Sequence, residues 1–367
     1  MKVLITAGAV YGPLDDNKLV SNRSRGIWAT KYAQRLWLKD HEVTTLIPDT
    51  MDDLGVHTTR GRVCIKHKGF DEYRRICKEL APQMDAAIMA AAVVNWIPAE
   101  PVRGKMKTEG YKPGDRIDIP FYLAPRVIEE MKVANPKLTL VGCKMLSGSE
   151  KPALIEAAYQ TLLHSHANVI VANDLQGLRT KHLVYQDRTV VTYADKFDKF
   201  FDDLDAVLAD VHYNTNWVRT TPMRPSDATR LFDEIVEAHR AQFVKRDSGS
   251  DRVFGAVLVR DPTYGWLVSP REKGQLFSSE VATRVVSISR DAREVNVDGP
   301  NKATLNAPLL VRVAEKYKAK AVLHLHEQLP NVPTVAYAPP GTVRDNDRDI
   351  PAATFNIEGH GFISALV

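Results

Sequence analysis

The apolar run from Ala86 to Val94 is the sequence feature that most restricts the fold. It reads AAIMAAAVV, without a polar residue. Such a run predicts a strand that is covered on both faces, as in a parallel sheet packed between helices. Asn95 ends the run, and a loop with three cations follows: Arg103, Lys105 and Lys107. Open α/β sheets bind ligands where strands end in this way. A core strand followed by a solvated basic loop stays the alternative.

Strands and helices alternate along the first two hundred residues. Apolar strands are expected at 2–8, 42–47, 61–66, 135–142 and 168–172, with helices between them. This β-α-β order favours a parallel sheet. We expect Ser24 or Asn22 to cap a helix over 26–39, and Ser149 to cap one over 149–164. Residues 182–193 predict a β-hairpin that turns at Asp187 and Arg188.

Composition excludes several classes of protein. A net charge of +4 on 367 residues, without a basic cluster, argues against nucleic acid as a partner. The longest apolar run has nine residues, too few to cross a membrane. The three cysteines (Cys64, Cys77 and Cys143) are odd in number and widely spaced. They favour reduced thiols in a cytoplasmic protein.

A polar stretch with two prolines over 212–225 predicts a linker. It separates an expected domain at 1–211 from a second one at 226–367. The first domain contains neither the G-x-G-x-x-G fingerprint nor a P-loop.

Six motifs in order along the first domain carry a family resemblance. They are ITAG (5–8), SNRSRG (21–26), AAAVVNW (90–96), GKMK (104–107), VGCK (141–144) and VANDL (171–175). Together they resemble the phosphopantothenate–cysteine ligase family, the synthetase step of coenzyme A biosynthesis. The resemblance implies a Rossmann-like fold and a homo-oligomer, at least a dimer, formed in part through the late hairpin.

The resemblance also implies a two-step reaction. CTP or ATP, with Mg²⁺, activates the carboxylate of phosphopantothenate as an acyl-nucleotidylate and releases pyrophosphate. The amine of cysteine then attacks the activated carbonyl. Cations on the triphosphate and donors around the acyl phosphate serve this chemistry.

Carried over by motif, two residues are implied to act in catalysis: Asn22 covers the intermediate, and Lys105 contacts the triphosphate. The residues implied to bind the nucleotide or substrate are Gly8, Lys18, Ser24, Ala91, Ala92, Asn95, Lys107, Asn173 and Asp174.

Three positions depart from the family pattern. Lys18 stands in place of an arginine and lacks its bidentate fork. Asn95 replaces an aspartate, and Cys143 replaces a phenylalanine. The choice of nucleotide and the identity of the carboxylate substrate therefore stay open.

The second domain resembles the class II aldolase and adducin-like family. The residues that carry the resemblance are WLVSPREKG (266–274), the segment ending in AVLHLH (307–326) and NIEGHGFI (356–363). The resemblance implies an α/β module that binds Zn²⁺ through His324, His326 and His360. His324 and His326 are two residues apart, so both point to one face of a strand.

The stretch 299–306 lacks the acidic residue that active aldolases carry at this place. The sequence leaves two alternatives to the ligase open. In the first, the chain is a metal-dependent lyase or isomerase that acts on a sugar phosphate. In the second, it is a non-catalytic assembly protein in which both domains are degenerate.

Overall fold

The computed structural model describes residues 1–51, 61–210, 212–219, 224–244, 251–263 and 265–367. They divide into two units, Met1–Gln186 with Val190–Leu208, and Asp187–Thr189 with Ala209–Val367. Both units are α/β. The expected limits at 211 and 226 stay a prediction, and Val211 and residues 220–223 lie outside the described residues.

The first unit contains five helices and fourteen strands among its described residues. The helices are α1 (Ile27–Leu38), α2 (Phe70–Leu80), α3 (Val127–Ala134), α4 (Lys151–Ser165) and α5 (Phe197–Ala209). The strands are β1 (Lys2–Thr6), β2 (Ala9–Val10), β3 (Gly12–Pro13), β4 (Leu19–Val20), β5 (Glu42–Pro48), β6 (Arg62–His67), β7 (Ala86–Met89), β8 (Ala92–Val93), β9 (Trp96–Pro98), β10 (Phe121–Leu123), β11 (Thr139–Leu146), β12 (Val169–Asp174), β13 (Thr180–Tyr185) and β14 (Val190–Ala194).

An eight-stranded sheet forms the centre of the first unit. Its order is β14-β13-β12-β11-β7-β1-β5-β6. The six strands from β12 to β6 are parallel, and β13 and β14 add an antiparallel hairpin at one edge. Successive residues of β1, β7 and β12 are buried, so both faces of the sheet are covered. The predicted Rossmann-like parallel sheet and the late hairpin are confirmed.

The apolar run is not one strand as we expected. β7 ends at Met89, and Ala92–Val93 form β8, which pairs with β2 outside the main sheet. The break occurs because the amide of Ala91 donates to the hydroxyl of Thr6 at 3.1 Å instead of continuing the ladder. The chain thus turns away from the sheet within the predicted binding motif.

The second unit contains three helices and nine strands among its described residues. The helices are α6 (Asp227–Ala238), α7 (Ala307–Tyr317) and α8 (Val343–Asp347). The strands are β15 (Asn214–Arg219), β16 (Ala256–Asp261), β17 (Gly265–Val268), β18 (Thr283–Ser289), β19 (Glu294–Asp298), β20 (Ala321–Leu325), β21 (Thr334–Val335), β22 (Thr354–Ile357) and β23 (Gly361–Leu366).

A nine-stranded, mostly antiparallel sheet forms this unit, in the order β15-β19-β18-β17-β16-β20-β23-β22-β21. The central strand β20 is buried throughout. Val322 packs in a cluster with α7, whereas Leu323 and Leu325 pack in a cluster with α6. Alternate residues of β20 therefore face two different helical layers.

Within the predicted linker, Asn214–Arg219 form β15 and pair in parallel with β19, while the role of 212–225 as a linker stays a prediction. A strand at the edge of a sheet need not alternate apolar and polar residues, so the polar sequence of β15 did not predict a strand. No helix among the described residues is long and apolar enough to cross a membrane.

Candidate functional site

A close approach of two glycines begins the candidate nucleotide site. Gly26 has φ 65° and precedes α1, and a Cβ atom there would lie 2.6 Å from the amide nitrogen of Gly8. Glycine is therefore required, both for the left-handed backbone and for the contact. Gly26, not Ser24 or Asn22, occupies the N-cap position of α1, so the predicted cap is wrong. The start of α1 is thereby held against the end of β1.

Asn22 connects this turn to the end of the apolar run. Its side-chain amide donates to the carbonyl oxygens of Ala92 at 3.2 Å and Val93 at 2.9 Å. The amide of Ala92 donates to the carbonyl of Gly8 at 2.8 Å. Since Ala91 precedes them in the same turn, the structure brings Gly8, Asn22, Ala91 and Ala92 together.

Asp15 joins the loop of Lys18 to the basic loop. Its carboxylate accepts from the ammonium of Lys18 at 3.0 Å and from the amide of Met106 at 2.9 Å. The bond from the Met106 amide is the main reason why the pKa of Asp15 lies well below its usual range. Met106 lies between Lys105 and Lys107, so this contact fixes the backbone of both lysines that were predicted to contact the ligand.

The remaining predicted residues of this loop region are accessible. Lys105, Lys107 and Asn95 are exposed, and Ser24 is half-buried. The backbone carbonyl of Asn95 accepts a hydrogen bond from the amide of Ala124 at 2.8 Å, and the Asn95 side chain lies at the surface. Ser24 donates its amide to the carbonyl of Asn22 at 3.0 Å, so these two residues share a tight turn.

Asn173 and Asp174 lie at the end of β12, two strands away from β7. Asp174 has a structural role here: its oxygens accept from the amides of Gly148, Ser149 and Gln176 and from the hydroxyl of Ser149. These bonds lower the pKa of Asp174 to about 2, and the bond from the amide of Ser149 has the largest effect. Ser149 does not cap α4 as expected, because Glu150 is the N-cap residue.

The second unit brings the three predicted metal ligands together. His324 lies on β20 and His326 directly follows it, while His360 lies between β22 and β23. One ligand nitrogen of each lies within 4.8 Å of the others. Gly361 makes this possible, because a Cβ atom there would lie 2.0 Å from the carbonyl oxygen of Leu325. Only glycine lets the chain after His360 pass so close to β20.

Hydrogen bonds orient two of the three imidazole rings. The Nδ1 atom of His324 bonds the carbonyl of Phe362 at 2.8 Å, and that of His360 bonds the carboxylate of Asp187 at 2.7 Å. Both Nε2 atoms are buried and have no hydrogen-bond partner among the described residues. With the proton on Nδ1, each Nε2 presents a lone pair, which is the form that binds a metal ion.

Burial keeps two of the three histidines neutral. Desolvation lowers the pKa of His324 to about 3 and that of His326 well below its usual range. The neighbouring charge of Lys273 acts in the same direction. Uncharged imidazole is the ligand form for transition metals, so His324 and His326 need no proton loss to accept one near neutral pH.

The donor set fits zinc. Three imidazole nitrogens around an open position are a common catalytic zinc arrangement, in which the nitrogens lie about 3.4 Å apart. The three nitrogens here are close enough for small ring movements to reach that spacing. The orphaned Nε2 atoms of His324 and His360 support this fit, because burying an unpaired acceptor otherwise costs stability.

Sequence reasoning missed three residues of this cluster: Asp187, Thr189 and Tyr337. Asp187 and Thr189 come from the connection between β13 and β14, and Tyr337 follows β21. The hydroxyl of Tyr337 donates to Asp187 at 3.0 Å, and the hydroxyl of Thr189 lies 3.2 Å from Nδ1 of His360. No local pattern marks them, since they lie far from the histidines in the sequence.

The two units thus define an α/β protein with a Rossmann-like parallel sheet, followed by a mixed-sheet unit with a buried three-histidine cluster. The chain belongs to the DNA/pantothenate metabolism flavoprotein C-terminal domain family, whose sequence model matches residues 1–201. A curated relative is the coenzyme A biosynthesis bifunctional protein CoaBC of Thermococcus kodakarensis. It is 26% identical over 184 residues, which are 48% of this chain and 42% of the relative. The chain therefore spans less than half the length of that relative.

Solved structures resemble both parts. The DNA/pantothenate metabolism flavoprotein of Streptococcus pneumoniae is 17% identical, with a TM-score of 0.47, over 56% of this chain and 99% of that one. The N-terminal class II aldolase domain of a protein from Thermoplasma acidophilum is 16% identical, with a TM-score of 0.26, over 40% of this chain and 87% of that one. The family resemblance predicted for the first domain is confirmed, and class II aldolase-like proteins are among the structural neighbours.

Proposed function

We propose that the first unit is a nucleotide-dependent ligase that joins phosphopantothenate to cysteine. The observation that carries this proposal is the set of contacts that joins Asn22 to the turn of Ala91 and Ala92 and to Gly8. It places an amide side chain and small residues at the carboxyl edge of the parallel sheet, where such sheets bind ligands.

The proposed reaction balances in two steps. The carboxylate of phosphopantothenate attacks the α-phosphorus of CTP or ATP, supplied as the Mg²⁺ complex; the α–β phosphoanhydride bond breaks and pyrophosphate leaves. The amine of cysteine then attacks the acyl carbon, the bond from this carbon to the phosphate oxygen breaks, the nucleoside monophosphate leaves, and an amide bond forms as the proton of the amine passes to solvent. The ammonium of Lys105 stabilises the charge that develops on the leaving pyrophosphate, and Asn22 covers the acyl-nucleotidylate from water.

The ion pair of Asp15 and Lys18 supports a defined role for the basic loop. A lysine that is already paired contributes less net positive charge to the site than an unpaired cation would. Lys105 and Lys107 are therefore the main cations for the triphosphate in this proposal. The bond from Met106 to Asp15 holds them in place before a nucleotide arrives.

Release of pyrophosphate tests this function. The full chain is mixed with Mg²⁺, phosphopantothenate and cysteine, together with each of the four ribonucleoside triphosphates in turn. We expect pyrophosphate with CTP or ATP, and phosphopantothenoylcysteine by mass spectrometry. Lys105→Ala should lower kcat/KM by at least about tenfold. Lys112→Ala, an exposed lysine of the same segment, is the matched control. No pyrophosphate with any triphosphate would overturn the proposal.

For the second unit we propose a metal-dependent lyase or isomerase that acts on a sugar phosphate. The specific observation is the pair of buried Nε2 atoms without partners in a cluster of three histidines. His324, His326 and His360 would hold the ion. A bound Zn²⁺ polarises a carbonyl or hydroxyl oxygen of the substrate as a Lewis acid.

Metal content tests this second function. The purified chain, stripped with a chelator and reloaded, should bind one Zn²⁺ by elemental analysis. His326→Ala should abolish this binding. His164→Ala is the matched control, because His164 and His166 have the same spacing but are exposed at the end of α4. A metal-loaded chain that cleaves or isomerises no sugar phosphate would instead favour the non-catalytic assembly protein.

A further inference from the structure

Asp187 is a buried carboxylate that contacts one of the candidate metal ligands. It lies in the segment Asp187–Thr189, part of the connection between β13 and β14, which belongs to the second unit although both strands belong to the first. Its Oδ2 atom lies 2.7 Å from Nδ1 of His360. Only 9% of Asp187 and 3% of His360 are exposed, so water does not screen this contact.

Several donors fix the carboxylate in this orientation. The hydroxyl of Tyr337 donates to Oδ2 at 3.0 Å, and that of Thr189 donates to the same atom at 3.1 Å. The amide of Thr189 donates to Oδ1 at 3.1 Å. A carboxylate so surrounded by donors is an acceptor toward His360. Nδ1 of His360 therefore carries a proton toward Asp187, and in the neutral ring its buried, unpartnered Nε2 atom is the lone pair.

We propose that Asp187 is the positioning residue of the metal centre: it holds His360 in the tautomer and ring orientation that present Nε2 to the ion. This rests on the proposed metal-binding function. Carboxylate partners of metal-bound histidines set ring orientation and raise ligand basicity in the same way. Asp187 lies within the stretch that the ligase-type family matches, residues 1–201.

Binding of Zn²⁺ to the full chain tests the proposal. Wild-type protein and variants compete with a chromophoric chelator for Zn²⁺. Asp187→Asn keeps the shape of the side chain and removes its charge, and it should weaken Zn²⁺ binding about 10- to 100-fold. Asp195→Asn, an exposed aspartate just after the same hairpin, is the matched control and should bind like wild type.

Two further readouts separate positioning from a general loss of structure. The ¹⁵N shifts of the His360 ring in the metal-free protein should show the Nδ1–H tautomer in wild type and a mixture in Asp187→Asn. Tyr337→Phe removes a single donor to Asp187 and should weaken Zn²⁺ binding less than Asp187→Asn does. If Asp187→Asn does not fold, Tyr337→Phe decides: weaker binding supports the proposal, and unchanged binding overturns it.

The Zn²⁺ measurements distinguish a failure of the proposed metal centre from a failure of the proposed role of Asp187. If wild type binds Zn²⁺ and Asp187→Asn binds it equally tightly, the role of Asp187 is overturned and the metal centre stands. If wild type binds neither Zn²⁺ nor Co²⁺, the metal centre and the role of Asp187 are both overturned.

Discussion

At the scale of single residues, Asp174 shows a side chain whose motif and whose contacts point to different roles. The family motif implies that it binds the nucleotide. Three of its four hydrogen bonds instead connect the end of β12 to the turn before α4, and the fourth comes from the nearby amide of Gln176. A carboxylate with both oxygens occupied by donors of its own chain has little capacity left for a ligand. Asn173 beside it is buried, so neither residue presents an open group as Lys105 does.

These contacts predict a pH dependence of stability. The pKa of Asp174 is about 2 in the folded chain and near its usual 3.8 in the unfolded one. The stabilisation is therefore complete above the unfolded value and is lost as the pH falls from about 4 to 2. Asp174→Asn should lower the urea midpoint at pH 7 and show a smaller further loss between pH 4 and pH 2. Glu109→Gln, at an exposed position, should behave like wild type. Parallel pH profiles for Asp174→Asn and wild type would contradict the assignment.

At the scale of elements, the sequence predicted which segments form strands and helices better than where they stop. The apolar run predicted a strand that is covered on both faces, and β7 is one. It did not predict the end at Met89, because the hydroxyl of Thr6 on the neighbouring strand and the carbonyl of Gly8 just after that strand impose the break. Propensity within a segment contains no information about a partner eighty residues away. The same reason accounts for β15, which a parallel neighbour stabilises.

Helix α6 is an element whose start can be tested alone. The hydroxyl of Ser226 accepts a hydrogen bond from the amide of Thr229, and the hydroxyl of Thr229 accepts one from the amide of Ser226. The two bonds form a capping box. Ser226→Ala leaves an orphan amide at the helix start and should lower the free energy of unfolding by about 1 kcal/mol. Ser226→Thr keeps a capping oxygen and should recover most of this loss. Urea denaturation measures both, and equal midpoints for Ala and wild type would argue against the box.

At the scale of the whole molecule, the two candidate sites differ in how far sequence could predict them. Sequence motifs next to the strands predicted the residues of the turn of Asn22 and Ala92. The spacing of the histidines and a family resemblance predicted the three metal ligands. Neither kind of pattern predicted Asp187, Thr189 and Tyr337, since folding brings them to His360 from distant stretches of the chain. Metal-binding residues can be recognised from sequence patterns, whereas the residues that orient them are determined by tertiary packing.

The metal centre also predicts how the intact chain responds to metal. A ligand that binds the folded state alone stabilises it by RT ln(1 + [L]/Kd), which is about 2.7 kcal/mol at 100 times Kd. For a unit of this size that raises the thermal midpoint by about 5–10 °C. Calorimetry of chelator-stripped and Zn²⁺-loaded protein should show this rise in the transition of the second unit. His326→Ala lacks one of the three nitrogens and should show no rise, while His164→Ala should match wild type. A rise of the same size in His326→Ala would place the stabilising metal elsewhere in the chain.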